Sequence, residues 1–309
     1  MSKKVTVFGS FVVDLMARTP HLPAPAETVK GSLFRQGAGG KGFNQGIAAH
    51  KAGGDVAMIT KLGRDSLAAV ATDAMDAVGL PRNYLFYNEE VPTGVALIMV
   101  DENSSQNEIV IVPGACATIT AADIEGVADR IAASDYVLLQ LEVNQDANER
   151  VAKLAKENGV KVILNTAPYQ DIMTDEFLQG TWLVTPNEVE AEEMTGIRVD
   201  SLESADRAAA AIKAKGVENV LITLGSRGVY VNYGGHSEIV PAYHVKAIDT
   251  TGAGDAFNGG LLTALAEGKT LAEAARFANA LAALSVQKLG TTPAMPTRAE
   301  IDAFIAENG

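Results

Sequence analysis

An α/β protein built on a mostly parallel sheet is what this sequence predicts, and three observations carry the prediction. Short β-rich runs alternate with longer helical patterns along most of the chain, the signature of βαβ units with right-handed crossovers. Two segments break that rhythm and read as a small separate β-sheet. The composition, 47% hydrophobic and 20% charged over 309 residues, is that of a packed globular enzyme and excludes a disordered, collagenous or disulfide-scaffold chain.

The buried strands are expected at Val5–Gly9, Val56–Lys61, Tyr136–Leu141, Val160–Asn165, Trp182–Val184 and Val220–Leu224. Helical stretches, with apolar residues three and four apart, are expected at Asn144–Asn158, Asn187–Thr195, Ser204–Lys215 and Leu271–Lys288. Gly225-Ser226-Arg227-Gly228 before Val229-Tyr230-Val231 suggests a tight turn into an antiparallel strand at the sheet's late edge. The two exceptions are 11–36, which carries Pro20, Pro23 and Pro25, and 91–112. In the latter, Gly94–Val100 and Glu108–Val112 flank the polar turn Asn103-Ser104-Ser105-Gln106-Asn107. Together these segments suit a lid inserted in a single domain spanning 1–309, with ordinary surface hairpins as the alternative. Trp182 is expected in the core.

A net charge of −13 argues against nonspecific binding to nucleic acid or to an anionic membrane, so an anionic substrate needs a local positive site. The single cysteine, Cys116, allows neither an internal disulfide nor a cysteine zinc cluster and is expected to be a small apolar residue. His21, His50, His236 and His244 show no metal-ligand spacing. With no run of about 18 apolar residues and no apolar signal region before the first strand, a cytoplasmic protein is expected.

Three motifs carry chemistry. In Asp249-Thr250-Thr251-Gly252-Ala253-Gly254-Asp255-Ala256-Phe257, a strand-like run ending at Ile248 is followed by an apolar helix from about Ala253 to Ala266. The Gly252-Ala253-Gly254 turn then sits at a helix N-terminus, where unpaired N–H groups and the positive dipole end suit a phosphate in transfer. Asp255, in the first turn, is placed to take a proton from an attacking hydroxyl; a carboxylate that only stabilises its helix is the alternative. The second motif, Gly37-Ala38-Gly39-Gly40-Lys41-Gly42-Phe43-Asn44-Gln45, fits G-x-G-x-x-G but follows the lid-like segment rather than the first core strand, and it lacks the P-loop pattern. Lys41 and Asn44 on this glycine-rich loop suit a polyhydroxylated ligand, while a close helix–sheet crossing also explains the glycines. The third, Thr185-Pro186-Asn187-Glu188-Val189-Glu190, offers Asn187 and Glu190 either as a capping pair or as groups facing a hydrated Mg²⁺.

Gly37–Gln45, Asn187–Glu190, Leu221–Gly228 and Asp249–Phe257 together resemble the signatures and landmarks of the ribokinase-like (PfkB) carbohydrate kinases. Further anchors are Gly9-Ser10, Leu139-Gln140-Leu141-Glu142, Asn165-Thr166-Ala167-Pro168 and Arg276-Phe277-Ala278-Asn279. The likeness covers essentially the whole chain. It implies a three-layer αβα sandwich with a small β-sheet lid, and transfer of the γ-phosphoryl group of ATP to a primary hydroxymethyl of a sugar or nucleoside. It implies Asp255 as base and Gly252, Ala253 and Gly254 as anion hole. It assigns the sugar to Asp14, Gly40, Lys41, Asn44 and Glu142, and the adenine nucleotide to Thr223, Gly225, Gly228 and Asn279. Asn187 and Glu190 would organise Mg²⁺ and the phosphates. A monovalent cation, usually K⁺, would sit at Asp249, Thr251, Ser285, Lys288, Gly290 and Ala294, although Ala294 has no side-chain oxygen where relatives often have serine. In the ribokinase branch the lid also makes a homodimer.

One departure bears on the substrate. That branch typically carries Asn-x-Asp after the first strand, whereas this chain has Val12-Val13-Asp14. Valine cannot hydrogen-bond a sugar hydroxyl, and a stranded hydroxyl costs about 1–3 kcal/mol. The expectation is that 2-deoxy-D-ribose is accepted comparably to ribose or better, as the apolar residue usual in the deoxyribokinase branch also implies. Two rival readings remain: a nucleoside kinase, for which Phe43 is the one candidate aromatic near the sugar motif, and a non-catalytic sugar or nucleotide sensor.

Overall fold

The computed structural model describes residues 4–104, 106–170 and 173–308. Met1–Lys3, ahead of the first strand, and Ser105, within the predicted lid turn, lie outside them. The strands are β1 (Lys4–Phe8), β2 (Val12–Thr19), β3 (Leu33–Gly39), β4 (Asp55–Gly63), β5 (Leu85–Asn88), β6 (Thr93–Asp101), β7 (Asn107–Gly114), β8 (Tyr136–Leu139), β9 (Lys161–Leu164), β10 (Leu183–Val184), β11 (Asn219–Thr223), β12 (Val229–Tyr233) and β13 (His236–Val240). Nine form one sheet in the order β13-β12-β11-β10-β9-β8-β1-β4-β5. It is parallel from β5 to β11, and the turn 225–228 reverses the chain into antiparallel β12, as expected.

Side-chain alternation along the central strands builds the three layers. Val5 and Val7 of β1, Tyr136 and Leu138 of β8 and Ile163 of β9 enter one buried cluster. Phe8, Val137, Leu139, Val162 and Leu164 enter the other. Helices Lys41–Lys51, Ala253–Ala266 and Leu271–Ser285 cover the first face. Gln145–Glu157, Glu188–Thr195 and Leu202–Ala214 cover the second. The helical stretches expected from periodicity therefore form, within a few residues of their predicted bounds.

The two rhythm-breaking segments pair with each other in a second sheet, β3-β2-β6-β7. β2 runs parallel to β6 and antiparallel to β3, and β6 and β7 form a hairpin. The strands of this second sheet reach beyond the predicted segments, to Gly39 and Gly114.

Three expectations need correction. The run ending at Ile248 is not a strand: the ladder stops at Val240, and 241–248 is irregular chain with a bend at Ile248. Trp182 is half-buried at the margin of the first cluster, with Lys161 Nζ 4.4 Å from its ring centroid. The edge strands β5 and β13 have no counterpart among the predicted strands. Cys116 is buried as expected, and burial pushes its thiol up to about 12. Among the described residues, no helix is long and apolar enough to cross a membrane.

Candidate active site

The ends of the parallel strands lead to two adjoining cavities. Gly252, with φ 75°, is the left-handed residue that turns the chain into helix Ala253–Ala266; glycine takes this conformation without steric cost. Gly252, Ala253, Gly254 and Asp255 line a polar cavity of about 220 Å³, together with Lys41, Asn187, Glu190 and Thr223. Thr223, Ala253 and Gly254 also line a larger cavity of about 320 Å³, whose walls include Gly225, Gly228, Tyr243, Phe257 and Asn279. The misread segment 241–248 thus supplies a wall of this second cavity. The Asn279 amide nitrogen is committed to the Val240 and Pro241 carbonyls at 3.2 and 3.0 Å, so it braces that wall.

Asp255 is buried beneath the glycine turn. Asn44 Nδ2 donates to its Oδ2 at 3.0 Å and Gln45 Nε2 to its Oδ1 at 2.9 Å. Burial drives its carboxyl above the usual range, opposed by Lys41 and by these two amides. A carboxylate so tuned is suited to accept a proton. For the Lys41 ammonium, burial favours the neutral form, but Asp255, Glu142 and Glu190 outweigh burial and hold its pKa above the ordinary lysine value. Among the described residues it is the one basic side chain lining the polar cavity, facing the acids Asp255 and Glu190 there.

Glu142 reaches the same region from the segment after β8. It accepts from Lys41 N at 2.8 Å and Ser10 Oγ at 2.5 Å. Helix Lys41–Lys51 has no acidic residue in its first turn, so Glu142 supplies the negative charge its N-terminus favours. Gly40, the residue before this helix, has φ 90°. Asp14, on β2, feels both Glu142 and Asp255. Burial first, and then these two carboxylates, push it up to about 6. Val12 lies two residues earlier on the same strand and so on the same face as Asp14; it is buried but belongs to neither main apolar cluster.

The glycine motif makes the close helix–sheet crossing that the sequence left open as one reading. A Cβ at Gly42 would lie 2.6 Å from Gly9 Cα, so the helix and the chain just after β1 touch backbone to backbone. The same helix carries Lys41 and Asn44 to Asp255. Phe43 is fully buried against Phe11, ring centroids 4.9 Å apart. It is therefore unavailable to stack on a nucleobase, which removes the one sequence feature that favoured a nucleoside acceptor.

Asn187 and Glu190 form the capping box: Asn187 Oδ1 accepts from Glu190 N at 2.8 Å, and Glu190 Oε2 accepts from Asn187 N at 3.0 Å. Glu190 also accepts from Asn187 Nδ2 and from Thr166 Oγ1. With both oxygens bonded and no cluster of three potential metal ligands among the described residues, this donor set fits an ion that keeps most of its own water. At the expected monovalent-cation site, Asp249 Oδ1 accepts from Thr251 N and its Oδ2 from Gly290 N, both at 2.9 Å. That pairing joins segment 249–251 to segment 285–294. The Lys288 ammonium turns away to Glu300 and the Ser285 hydroxyl bonds within its own helix. Lys288 and Ala294 therefore have only backbone carbonyls for a monovalent ion, while Ser285 keeps hydroxyl lone pairs and a carbonyl that also accepts from Lys288 N at 3.2 Å.

Gln45, Asn165, Thr185 and Asn258 are site residues that sequence reasoning left without a role. Asn165, Thr185 and Asn258 line the polar cavity. Asn258 accepts from Thr185 Oγ1 at 2.7 Å and donates to Gly254 O at 2.9 Å, steadying the glycine turn.

A glycine turn at a helix N-terminus, an adjacent buried carboxylate, one lysine and a neighbouring nucleotide-sized cavity define a phosphotransferase acting on an alcohol. The pfkB family carbohydrate kinase model matches residues 2–298, and the chain belongs to that family. It is an ATP-dependent carbohydrate kinase. It is 42% identical to a ribokinase of Haemophilus influenzae over 99% of both chains. It is 33% identical to a deoxyribokinase of Salmonella typhi over 98% of this chain and 99% of that one. The solved structure of an Arabidopsis thaliana ribokinase complexed with ribose and ATP superposes with a TM-score of 0.92, at 31% identity over 99% of each chain.

Proposed function

We propose that the chain phosphorylates the primary 5-hydroxyl of a pentose, ribose or 2-deoxyribose, with Asp255 as general base. The observation that carries this reading is the position of the Asp255 carboxylate, pinned by two amides beside Gly252-Ala253-Gly254 in the polar cavity. Asp14, Gly40, Lys41, Asn44 and Glu142 hold the sugar; Thr223, Gly225, Gly228 and Asn279 frame the nucleotide. As the sugar oxygen bonds to the γ-phosphorus and the bond to the leaving ADP oxygen breaks, Asp255 takes the hydroxyl proton. The Gly252 and Gly254 amides and Lys41 meet the negative charge on the transferred group, with the Ala253 amide, which donates to Thr250 O at 3.2 Å, between them. Asn187 and Glu190 hold hydrated Mg²⁺, whose contribution when bound is charge neutralisation. Asp249, Thr251, Ser285, Lys288, Gly290 and Ala294 would hold K⁺, which when bound would stiffen the loop beside the anion hole. The setting is the cytoplasm.

The sugar preference follows from Val12. A coupled ADP-release assay over ribose, 2-deoxyribose, fructose and adenosine, with and without K⁺, tests the reading. Turnover is expected on the pentoses, with 2-deoxyribose at least equal to ribose in kcat/KM. Val12→Asn is expected to shift the ratio towards ribose by about tenfold, the worth of one hydrogen-bonded hydroxyl. A ribose preference above about tenfold that Val12→Asn leaves unchanged removes the argument.

Asp14 sets a pH dependence. Its folded pKa, about 6, lies above the ordinary 3.8. It therefore stabilises the free protein most below the ordinary value, and that contribution is lost as pH rises through about 6. Sugar binding has the opposite sign, because a hydroxyl donates to the carboxylate. Sugar affinity measured by calorimetry is expected to fall as pH drops below about 6, and Asp14→Asn is expected to be weak and flat. A wild-type affinity constant across that pH removes Asp14 from the sugar contacts.

The lid also supports a homodimer. β7 is the outer strand of its sheet, and Ile109, Val110, Ile111 and Val112 are each about half exposed in succession. An open apolar edge of this kind is a pairing surface. Sedimentation is expected to give a dimer, and Ile109→Lys with Ile111→Lys a monomer. A monomeric wild type ends this part of the proposal.

A further inference from the structure

We infer that Gln45 is a positioning residue for phosphoryl transfer, a buried amide locked from behind by Gln140 and Asn165 that fixes the aim of the Asp255 carboxylate. The inference rests on the reading of Asp255 as the base.

Gln45 is fully buried and lines neither cavity. Whatever it does for the reaction, it does through a neighbour. Its whole amide is engaged: Nε2 donates to Asp255 Oδ1 at 2.9 Å and to Asn165 Oδ1 at 3.1 Å, and Oε1 accepts from Gln140 Nε2 at 2.7 Å. Asn165 passes the polarity on, donating to Thr185 O at 3.1 Å. The chain of bonds has one sense. Turning the Gln45 amide over would set its oxygen against Asp255 and Asn165 and its NH₂ against the NH₂ of Gln140, in an interior where such mismatches are costly.

The scaffold makes specific room for this arrangement. Gln140 and Asn165 directly follow the neighbouring strands β8 and β9, and Thr185 follows β10. They form a row along one sheet edge beneath the site. A Cβ at Gly9, the residue after β1, would lie 1.9 Å from Gln140 Oε1, so Gly9 leaves the space that carboxamide occupies. Asn148 Nδ2 holds the Gln140 backbone oxygen at 2.7 Å.

Asn44 and Gln45 are successive residues of one helix, and each grips a different oxygen of Asp255. Two fixed donors define the plane of the carboxylate and leave each oxygen capacity to accept a proton. On its other side Asn44 Oδ1 faces Thr292 Oγ1 at 3.5 Å, whereas the Gln45 amide is tied to Asn165 and Gln140 in the row beneath. Near-attack geometry is sensitive to small misplacements of such a group.

Gln45→Met keeps length and volume but removes the donor. The expected result in the ADP-release assay is a fall in kcat of about tenfold or more with sugar KM within about twofold. The acid limb of the kcat–pH profile is expected to move to higher pH, since a bond favouring the charged carboxylate is gone. In an Asp255→Asn background, Gln45→Met is expected to cost nothing further. Should Gln45→Met fail to fold, Gln140→Met, which frees the Gln45 amide from behind, is expected to shift the profile in the same direction with a smaller loss. A loss of equal size in both backgrounds, or an unmoved pH profile, overturns the role of Gln45 and leaves the base assignment standing. Full turnover in Asp255→Asn alone overturns the base assignment and the inference with it.

Discussion

Asp255→Asn is expected to lower kcat by about 10²-fold or more, the usual worth of a positioned general base, while sugar affinity stays near wild type. The carboxylate has two separable jobs in this structure. It sits at the N-terminus of helix Ala253–Ala266, where negative charge is favourable. It is also the proton acceptor nearest the glycine turn, gripped by Asn44 and Gln45. Asparagine keeps the shape and one acceptor oxygen but replaces the other with an NH₂, so one of the two gripping amides loses its partner. The removed charge also relaxes Asp14 and Glu142, which both feel Asp255. Sugar binding is therefore not expected to suffer electrostatically, and the loss should appear in kcat. Single-turnover kinetics with calorimetric sugar titration separate the two quantities. Turnover within tenfold of wild type would show that Asp255 does no more than stabilise its helix.

What the sequence revealed of this site was what is local in the chain. The Gly252-Ala253-Gly254-Asp255 turn needs only the start of a helix to acquire its meaning, and that helix begins at the expected residue. Asn187 and Glu190 are three residues apart, so their capping box is legible without any tertiary information. The hairpin of the second sheet was legible because alternation and a polar turn mark it. Gln45, Asn165, Thr185 and Asn258 were not assigned, because their proximity depends on strand order: β8, β9 and β10 lie side by side only once the sheet is wound. The segment 241–248 misled for a related reason. Tyr243 and Val245 favour strands, but the segment joins no ladder and lines the nucleotide-sized cavity instead. Phe43 read as a possible base-stacking aromatic because periodicity alone does not tell a helix's core face from its cavity face; the structure turns it onto Phe11.

Gly42→Ala is expected to damage stability and catalysis together, and the reason lies in the same helix. The added Cβ would fall 2.6 Å from Gly9 Cα and 2.7 Å from both Gly9 C and Ser10 N. All three are backbone atoms, so no side chain can swing aside. Helix Lys41–Lys51 must instead lift off the chain just after β1, stretching the bond from Phe43 N to Ser10 O, now 3.0 Å, and that from Lys41 N to Glu142 Oε2, now 2.8 Å. Overpacking of this kind costs about 1–3 kcal/mol, and each kcal/mol lowers Tm by about 2–4 °C in a chain of this order of size. The displaced helix carries Asn44 and Gln45 away from Asp255, so kcat/KM is expected to fall by about tenfold or more through lost alignment. Gly37→Ala is the control: a Cβ there meets nothing within 4 Å, and its Tm is expected to match wild type. Thermal unfolding of both variants, with steady-state kinetics, distinguishes a steric crossing from a general intolerance of the glycine-rich segment. Equal melting of Gly42→Ala and Gly37→Ala would mean that the helix yields freely at this crossing, and the alignment of Asp255 would then have to come from the amide row beneath it rather than from the contact with the chain just after β1.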